Sequence, residues 1–269
     1  MYIEVKNANS FLLEGLKVLK EKGEEINTRG TKSIEVSGIS FRILNPRDRI
    51  ISISDRKFPL KGALAEFLWY MTKNPKVEII TPYLKHWTNF SDDGIIVNSN
   101  YGYCSGNQIN NIINKLKKDP SSRQGVINLF NRDFSDYYGK DTVCTPSYQI
   151  LIRNNLVNMI VSARSRDIIR GECIDQFTFT LLQEIIANEL GYDIGYYQVN
   201  IGSLHVYEEH YDFLNISDKI DDTYKNISLS TKYDYSNFWN QTNINYENDF
   251  INHIIKIKNI DIQSFYSFI

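Results

Sequence analysis

Residues 146–163, PSYQILIRNNLVNMIVSA, constrain the fold more than any other stretch of this 269-residue chain. Two runs rich in β-branched and large apolar residues flank Asn154-Asn155, and this pattern predicts two strands joined by a hairpin turn even without glycine. Downstream, Cys173 to Leu190 reads as a long helix closed by Gly191, and Tyr196 to Leu204 as a strand leading into His205 and another helix. Upstream, Ser10 to Lys22 carries Leu12, Leu13, Leu16, Val18 and Leu19 at helical spacing behind a serine cap. Ser33 to Leu44 alternates like a strand pair with a bend at Gly38, and Leu60 to Thr72, LKGALAEFLWYMT, is the most apolar helix. Asn107 to Lys118 predicts an amphipathic helix ended by Asp119-Pro120, with a strand from Gly125 to Phe130 after it. Strands and helices in mixed order around a central hairpin predict the α+β class, organised as one domain over residues 1–269.

Composition supports a folded core and narrows the partners. Apolar residues make up 42% of the chain and charged residues 23%, enough to bury a core. The net charge of −2 lacks the basic surface that neutralises a nucleic-acid backbone, but leaves a nucleotide monomer open as a ligand. No apolar run reaches the roughly 18 residues that span a bilayer, and MYIEVKNANS lacks the order of a signal peptide, so a cytoplasmic location without membrane contact is expected. Cys104, Cys144 and Cys173 fall at irregular spacing with no CxxC, which predicts free thiols and no metal site.

Two features point to chemistry. Glu66 is a lone acid among Ala65, Phe67, Leu68 and Trp69, and a carboxyl on an apolar helix face is expected to titrate high and handle protons. Arg164-Ser165-Arg166-Asp167 ends a strand and can offer several charge-assisted donors to one phosphate, the alternative being a solvated, self-neutralising run.

From this tetrapeptide onward the chain resembles the thymidylate synthase family, whose motif reads Arg-Ser-x-Asp-x-x-x-Gly-x-x-x-Asn before a long helix. Here the matching positions are Arg164, Ser165, Asp167, Gly171 and Asp175. Cys144 stands 20 residues before Arg164, where the family has its nucleophilic cysteine, and His205-Val206-Tyr207 begins 30 residues beyond Asp175, where it has His-x-Tyr. Glu66, Trp87 and Tyr101-Gly102 look like the family's catalytic glutamate and its active-site tryptophan and tyrosine. Arg29-Gly30-Thr31 resembles the phosphate loop, and Asp119 to Arg123 resembles the segment that reaches a partner subunit's phosphate. The likeness covers residues 10–215 and fades in the divergent segment 216–269.

The resemblance implies the thymidylate synthase fold, in a homodimer with a phosphate site shared between subunits. It implies 5,10-methylenetetrahydrofolate as one-carbon donor and a pyrimidine nucleoside monophosphate as acceptor. Cys144 would add to C6 of the pyrimidine, Glu66 would manage protons through water, and Tyr101 would stand beside them. Arg29, Arg164, Ser165 and the partner subunit's Arg123 would bind the phosphate, while His205 and Tyr207 hold the sugar. Asp167 would meet the pterin, with Trp87 and Gly171 lining the folate site.

Departures from the pattern redirect the expected substrate. Asp175 stands where synthases carry the asparagine that reads uracil, and Thr145 follows the nucleophile where they usually carry histidine. Gly202-Ser203 replaces Gly-Gly-Asp, Gln124 replaces a second arginine, and the ending QSFYSFI lacks the family's usual closing residues. Thr145 and Gly202-Ser203 resemble the deoxycytidylate hydroxymethylase branch, and with Asp175 they predict hydroxymethylation of dCMP or CMP. The alternatives are conversion of dUMP to dTMP, or a catalytically silent nucleotide- or RNA-binding relative.

Overall fold

A computed structural model of the chain describes residues 1–28, 30–135 and 138–221. Strand β1 (Tyr2–Val5) leads into helix α1 (Ala8–Lys22), which Asn7 caps by accepting from Ser10 N while the Ser10 hydroxyl accepts from Asn7 N. Ser10 is therefore the third helical residue rather than the cap, and the helix starts earlier than its apolar spacing suggests.

Strands β2 (Glu24–Thr28) and β3 (Thr31–Ile43) form an antiparallel pair. The expected bend at Gly38 does not split the segment. Gly38, at φ +69°, sits between the Ser37–Ser203 and Ile39–Ile201 pairs of one continuous strand. The true partner, β2, carries no apolar alternation because only Ile26 in it is even partly covered.

Helices α2 (Leu60–Met71), α3 (Tyr101–Ser105) and α4 (Gln108–Lys118) follow, then β4 (Val126–Asn128), β5 (Ser147–Arg153) and β6 (Leu156–Asp167). Asn154 and Asn155 adopt φ 54° and 59°, the left-handed pair of a type I′ turn that matches strand twist. The long helix α5 (Gly171–Leu190) ends on Gly191 at φ +75°, and β7 (Asp193–Tyr207) completes the sheet. His205 lies inside β7 rather than before a helix, and a 3₁₀ turn over Glu208–Asn215 follows the strand.

Among the described residues, seven strands make one mixed sheet in the order β1-β3-β7-β6-β5-β4, with β2 also paired to β3. The architecture is α+β, one mixed sheet with flanking helices. Helix α5 is buried on every side from Glu172 to Ala187, between β6 and β7 on one side and α1, α2 and α4 on the other. The parallel pairing of β6 with β7 sets Ser165 against Ser203 and Asp167 against His205. The ends of these two strands, the first turns of α5, the loop before β5 and the α2–α3 region thus meet at one place.

Candidate active site

Cys144 lies on the loop entering β5, and Arg164 fastens that loop to β6. The Arg164 amide donates to Cys144 O at 2.9 Å, and its guanidinium donates to Val143 O at 2.9 Å and Thr142 O at 2.6 Å. The same guanidinium stands 3.5 Å from Cys144 Sγ. Burial pushes the thiol up, Arg164 and Arg166 pull it down, and Asp175 and Asp141 add to the push. The positive potential of the two arginines is present but burial outweighs it, so Cys144 rests as a thiol.

Glu66 is only 4% exposed, which removes the possibility that it is a solvent-facing charge. Tyr70 Oη donates to its Oε1 at 3.0 Å and Trp87 Nε1 donates to its Oε2 at 3.0 Å. Burial raises this carboxyl to about 8, with Asp175 adding to the rise and the two donors opposing it. The helix spacing explains one donor, since Glu66 and Tyr70 are four residues apart on α2.

Tyr101 opens α3, which lies directly on α2. A side chain at Gly102 would stand 1.6 Å from Tyr70 O, so only glycine allows this approach. The approach sets the Tyr101 ring 4.9 Å from Tyr70 and 5.6 Å from Phe179. Trp87 packs at 5.1 Å from Trp69, and its indole N–H is what reaches Glu66.

Arg166 departs from the expectation that it helps bind a phosphate. It is 2% exposed, with Nη1 2.6 Å from Asp175 Oδ2, Nε 2.5 Å from Glu172 Oε2, and Nη2 donating to Thr145 Oγ1 at 2.6 Å. Thr145 donates onward to the Tyr101 hydroxyl at 3.1 Å, and Tyr101 bonds to the Asp175 carboxyl. Glu172, fully buried, is ion-paired with Arg166. Burial pushes its carboxyl up to about 8 against the pull of Arg166. Asp175 is also raised by burial, with Arg166 and Tyr101 pulling it back. Two carboxyls therefore face one guanidinium, and burial raises both.

Asp167 accepts from Ile169 N at 2.9 Å and Arg170 N at 3.2 Å through Oδ1, whereas its Oδ2 is buried with no hydrogen-bond partner. That orphan acceptor faces a cost that an N–H donor from a ligand would remove. His205 is buried, its ring is 5.0 Å from that of Tyr207, and its Nδ1 is 3.4 Å from Ser203 Oγ. Ser165 is half-buried beside Ser203. At Gly171 an added Cβ would meet nothing within 4 Å, so packing does not demand glycine there.

Cys144, Arg164, Tyr101, Asp175, Glu66 and Trp87 therefore form one connected group, with Asp167 and His205 paired at the adjoining strand ends. Arg123 is exposed on the loop after α4, where its carbonyl accepts from Gln149 Nε2 at 2.8 Å. Arg29 and the segment 222–269 lie outside the described residues. The sequence reading missed Tyr70 and Glu172 and misassigned Arg166. The four-residue step from Glu66 was a usable signal for Tyr70, while nothing local announces an ion pair between a strand end and a helix start.

Comparison with known proteins agrees with this geometry. A family model described as "Thymidylate synthase" matches residues 11–250. The thymidylate synthase of Bacillus licheniformis is 29% identical over 226 residues, covering 79% of this chain and 80% of that protein. That of Bacillus phage phi3T is 28% identical over 200 residues, covering 70% of this chain and 71% of its own. Among solved structures, the thermostable thymidylate synthase A from Bacillus subtilis superposes with a TM-score of 0.67 at 25% identity, covering 78% of this chain and 84% of that one.

Proposed function

Because this chain belongs to the thymidylate synthase family, we propose that its buried cluster carries out folate-dependent one-carbon transfer on a cytosine nucleotide, hydroxymethylating C5 of dCMP or CMP. The family chemistry, one-carbon transfer from methylenetetrahydrofolate to C5 of a pyrimidine nucleotide, is the premise. The choice of cytosine is supported by one feature: a carboxyl, Asp175, stands where the family motif carries asparagine, ion-paired with Arg166 and hydrogen-bonded by Tyr101.

Cys144 supplies the nucleophile. As the Sγ–C6 bond forms, the C5=C6 pair shifts toward C4 and the C4=N3 pair moves onto N3, which takes the proton given up by the thiol. C5 then carries the electron density needed to attack carbon. Methylenetetrahydrofolate, when bound, supplies a one-carbon unit at the oxidation level of formaldehyde. Asp167 fits its pterin, because the buried Oδ2 needs an N–H donor, and Trp87 forms a wall beside Glu66.

Glu66, held by Tyr70 and Trp87, acts as the base for water. As C5 bonds to that carbon, the carbon's bonds to the two folate nitrogens break and the C5 hydrogen leaves as a proton through water to Glu66. Water oxygen then bonds to the methylene left on C5, N3 gives up its proton as the C5=C6 bond re-forms, and Cys144 leaves C6 and regains a proton. The C5 hydrogen and one water hydrogen end on the nitrogens of the released tetrahydrofolate. The steps need no oxidant or reductant. Arg164, Ser165, Arg29 and the partner subunit's Arg123 hold the phosphate, and His205 and Tyr207 hold the sugar.

A second reading, conversion of dUMP to dTMP, is favoured by the names of the similar Bacillus and phage enzymes. Product analysis with dCMP, CMP and dUMP separates the two. The cytosine reading predicts a hydroxymethylated cytidylate with release of tetrahydrofolate, and turnover of dUMP alone with formation of dihydrofolate would overturn it.

A further inference from the structure

The hydrogen bonds around Arg166 run in one direction. Arg166 donates to Thr145, Thr145 donates to Tyr101, and Tyr101 donates to Asp175, whose Oδ2 is ion-paired with Arg166 Nη1 at 2.6 Å. Every member of this loop is buried or nearly so, and each donor is used in the sense its chemistry allows. The loop closes only if Asp175 accepts. The second carboxyl, Glu172, meets the same guanidinium and has no other partner among the described residues, so it can carry the proton that would otherwise neutralise Asp175.

We infer that Arg166 is a specificity-determining positioning residue: with Glu172 as proton reservoir, it commits Asp175 to an acceptor-only state and so selects the amino edge of cytosine over the carbonyl edge of uracil. This rests on the cytosine reading above. A cytosine presents an N4–H donor, which an ionised carboxylate accepts. A uracil presents O4, an acceptor, and attack at C6 sends further negative charge onto it. An acceptor-only Asp175 leaves that oxygen unpaired or repelled, and a site that strands a buried polar group discriminates strongly. A neutral Asp175 would do otherwise, since a protonated carboxyl both donates and accepts and fits either edge.

Removing the guanidinium while keeping the side-chain bulk frees Asp175 to take a proton. The Arg166→Met variant is therefore expected to lose discrimination, with the ratio of kcat/KM for dCMP over dUMP falling about tenfold or more because dUMP turnover rises. Arg166→Lys, which keeps one charge near Asp175, is expected to restore part of the ratio. A merely structural role would lower both substrates together and leave the ratio unmoved. Should Arg166→Met fail to fold, the pair Arg166→Met with Glu172→Leu replaces the buried ions by apolar side chains and is measured in the same way. A fall in the ratio in either variant supports the inference, and an unchanged ratio overturns it. A wild-type protein that already prefers dUMP overturns the cytosine reading instead, so the two failures are distinct.

Discussion

Replacing Tyr70 by phenylalanine removes a single hydroxyl that donates to Glu66 Oε1 at 3.0 Å. Glu66 is held by that donor on one oxygen and by Trp87 on the other, and both favour its charged form against burial. A buried hydrogen bond to a charged group contributes about 1.5–3 kcal/mol, so losing it raises the carboxyl by about one unit or more from its value of about 8. Near pH 7 roughly a tenth of Glu66 is ionised at the start, and a one-unit rise leaves about a hundredth. If the ionised form is the working base, activity near neutrality drops about tenfold and returns as the pH climbs past the new inflection. The assay is release of tritium from the C5 position of the nucleotide, because substitution at C5 must expel that hydrogen whichever base is used. A loss of equal size at every pH, with the inflection unmoved, would refute the link between Tyr70 and the protonation of Glu66.

Other outcomes follow from the same geometry. Cys144→Ala should abolish tritium release while leaving thermal unfolding within the spread of surface substitutions, about 0.5 kcal/mol, since Sγ makes only weak contacts at 3.5 and 3.9 Å. Asp167→Asn keeps an oxygen for Ile169 and Arg170 but puts an amide N–H where Oδ2 stands, so the KM for folate should rise about tenfold with the nucleotide KM unchanged, and equal losses for both would count against a pterin contact. Glu66 and Glu172 bind protons more tightly folded than unfolded, being raised from 4.5 to about 8, so the stability they contribute is full below about pH 4.5 and is lost as pH rises through about 8. Urea unfolding across that window should show a slope that Glu172→Gln reduces, and a slope unaltered in that variant would place the proton elsewhere.

Much of the fold was legible because its elements carry their own local signals. The Asn154-Asn155 turn, the amphipathic spacing of α1 and α4 and the Gly191 stop each reflect chemistry within a few residues. Strand β2 was not legible, because a strand exposed along almost its whole length has no apolar face to alternate. Gly38 was misread as a break, since a glycine in a strand pattern signals a positive φ but not whether the neighbouring strand tolerates it. At the site, Glu66 stood out as an acid in an apolar helix, and its raised carboxyl follows from that burial. Arg166 did not stand out. In sequence it sits among polar neighbours and resembles a surface charge, and only the packing of α5 against β6 turns it inward to Glu172 and Asp175.

The most direct test of one-carbon transfer through Cys144 is mass spectrometry of the protein incubated with methylenetetrahydrofolate and a 5-fluoro nucleotide, whose fluorine blocks loss of the C5 substituent and traps the covalent state. With 5-fluoro-dCMP the protein should gain the combined mass of nucleotide and folate on the peptide containing Cys144, and 5-fluoro-dUMP should label it less. No added mass with either nucleotide, or attachment at Cys104 or Cys173, would contradict the assignment of Cys144 as the nucleophile.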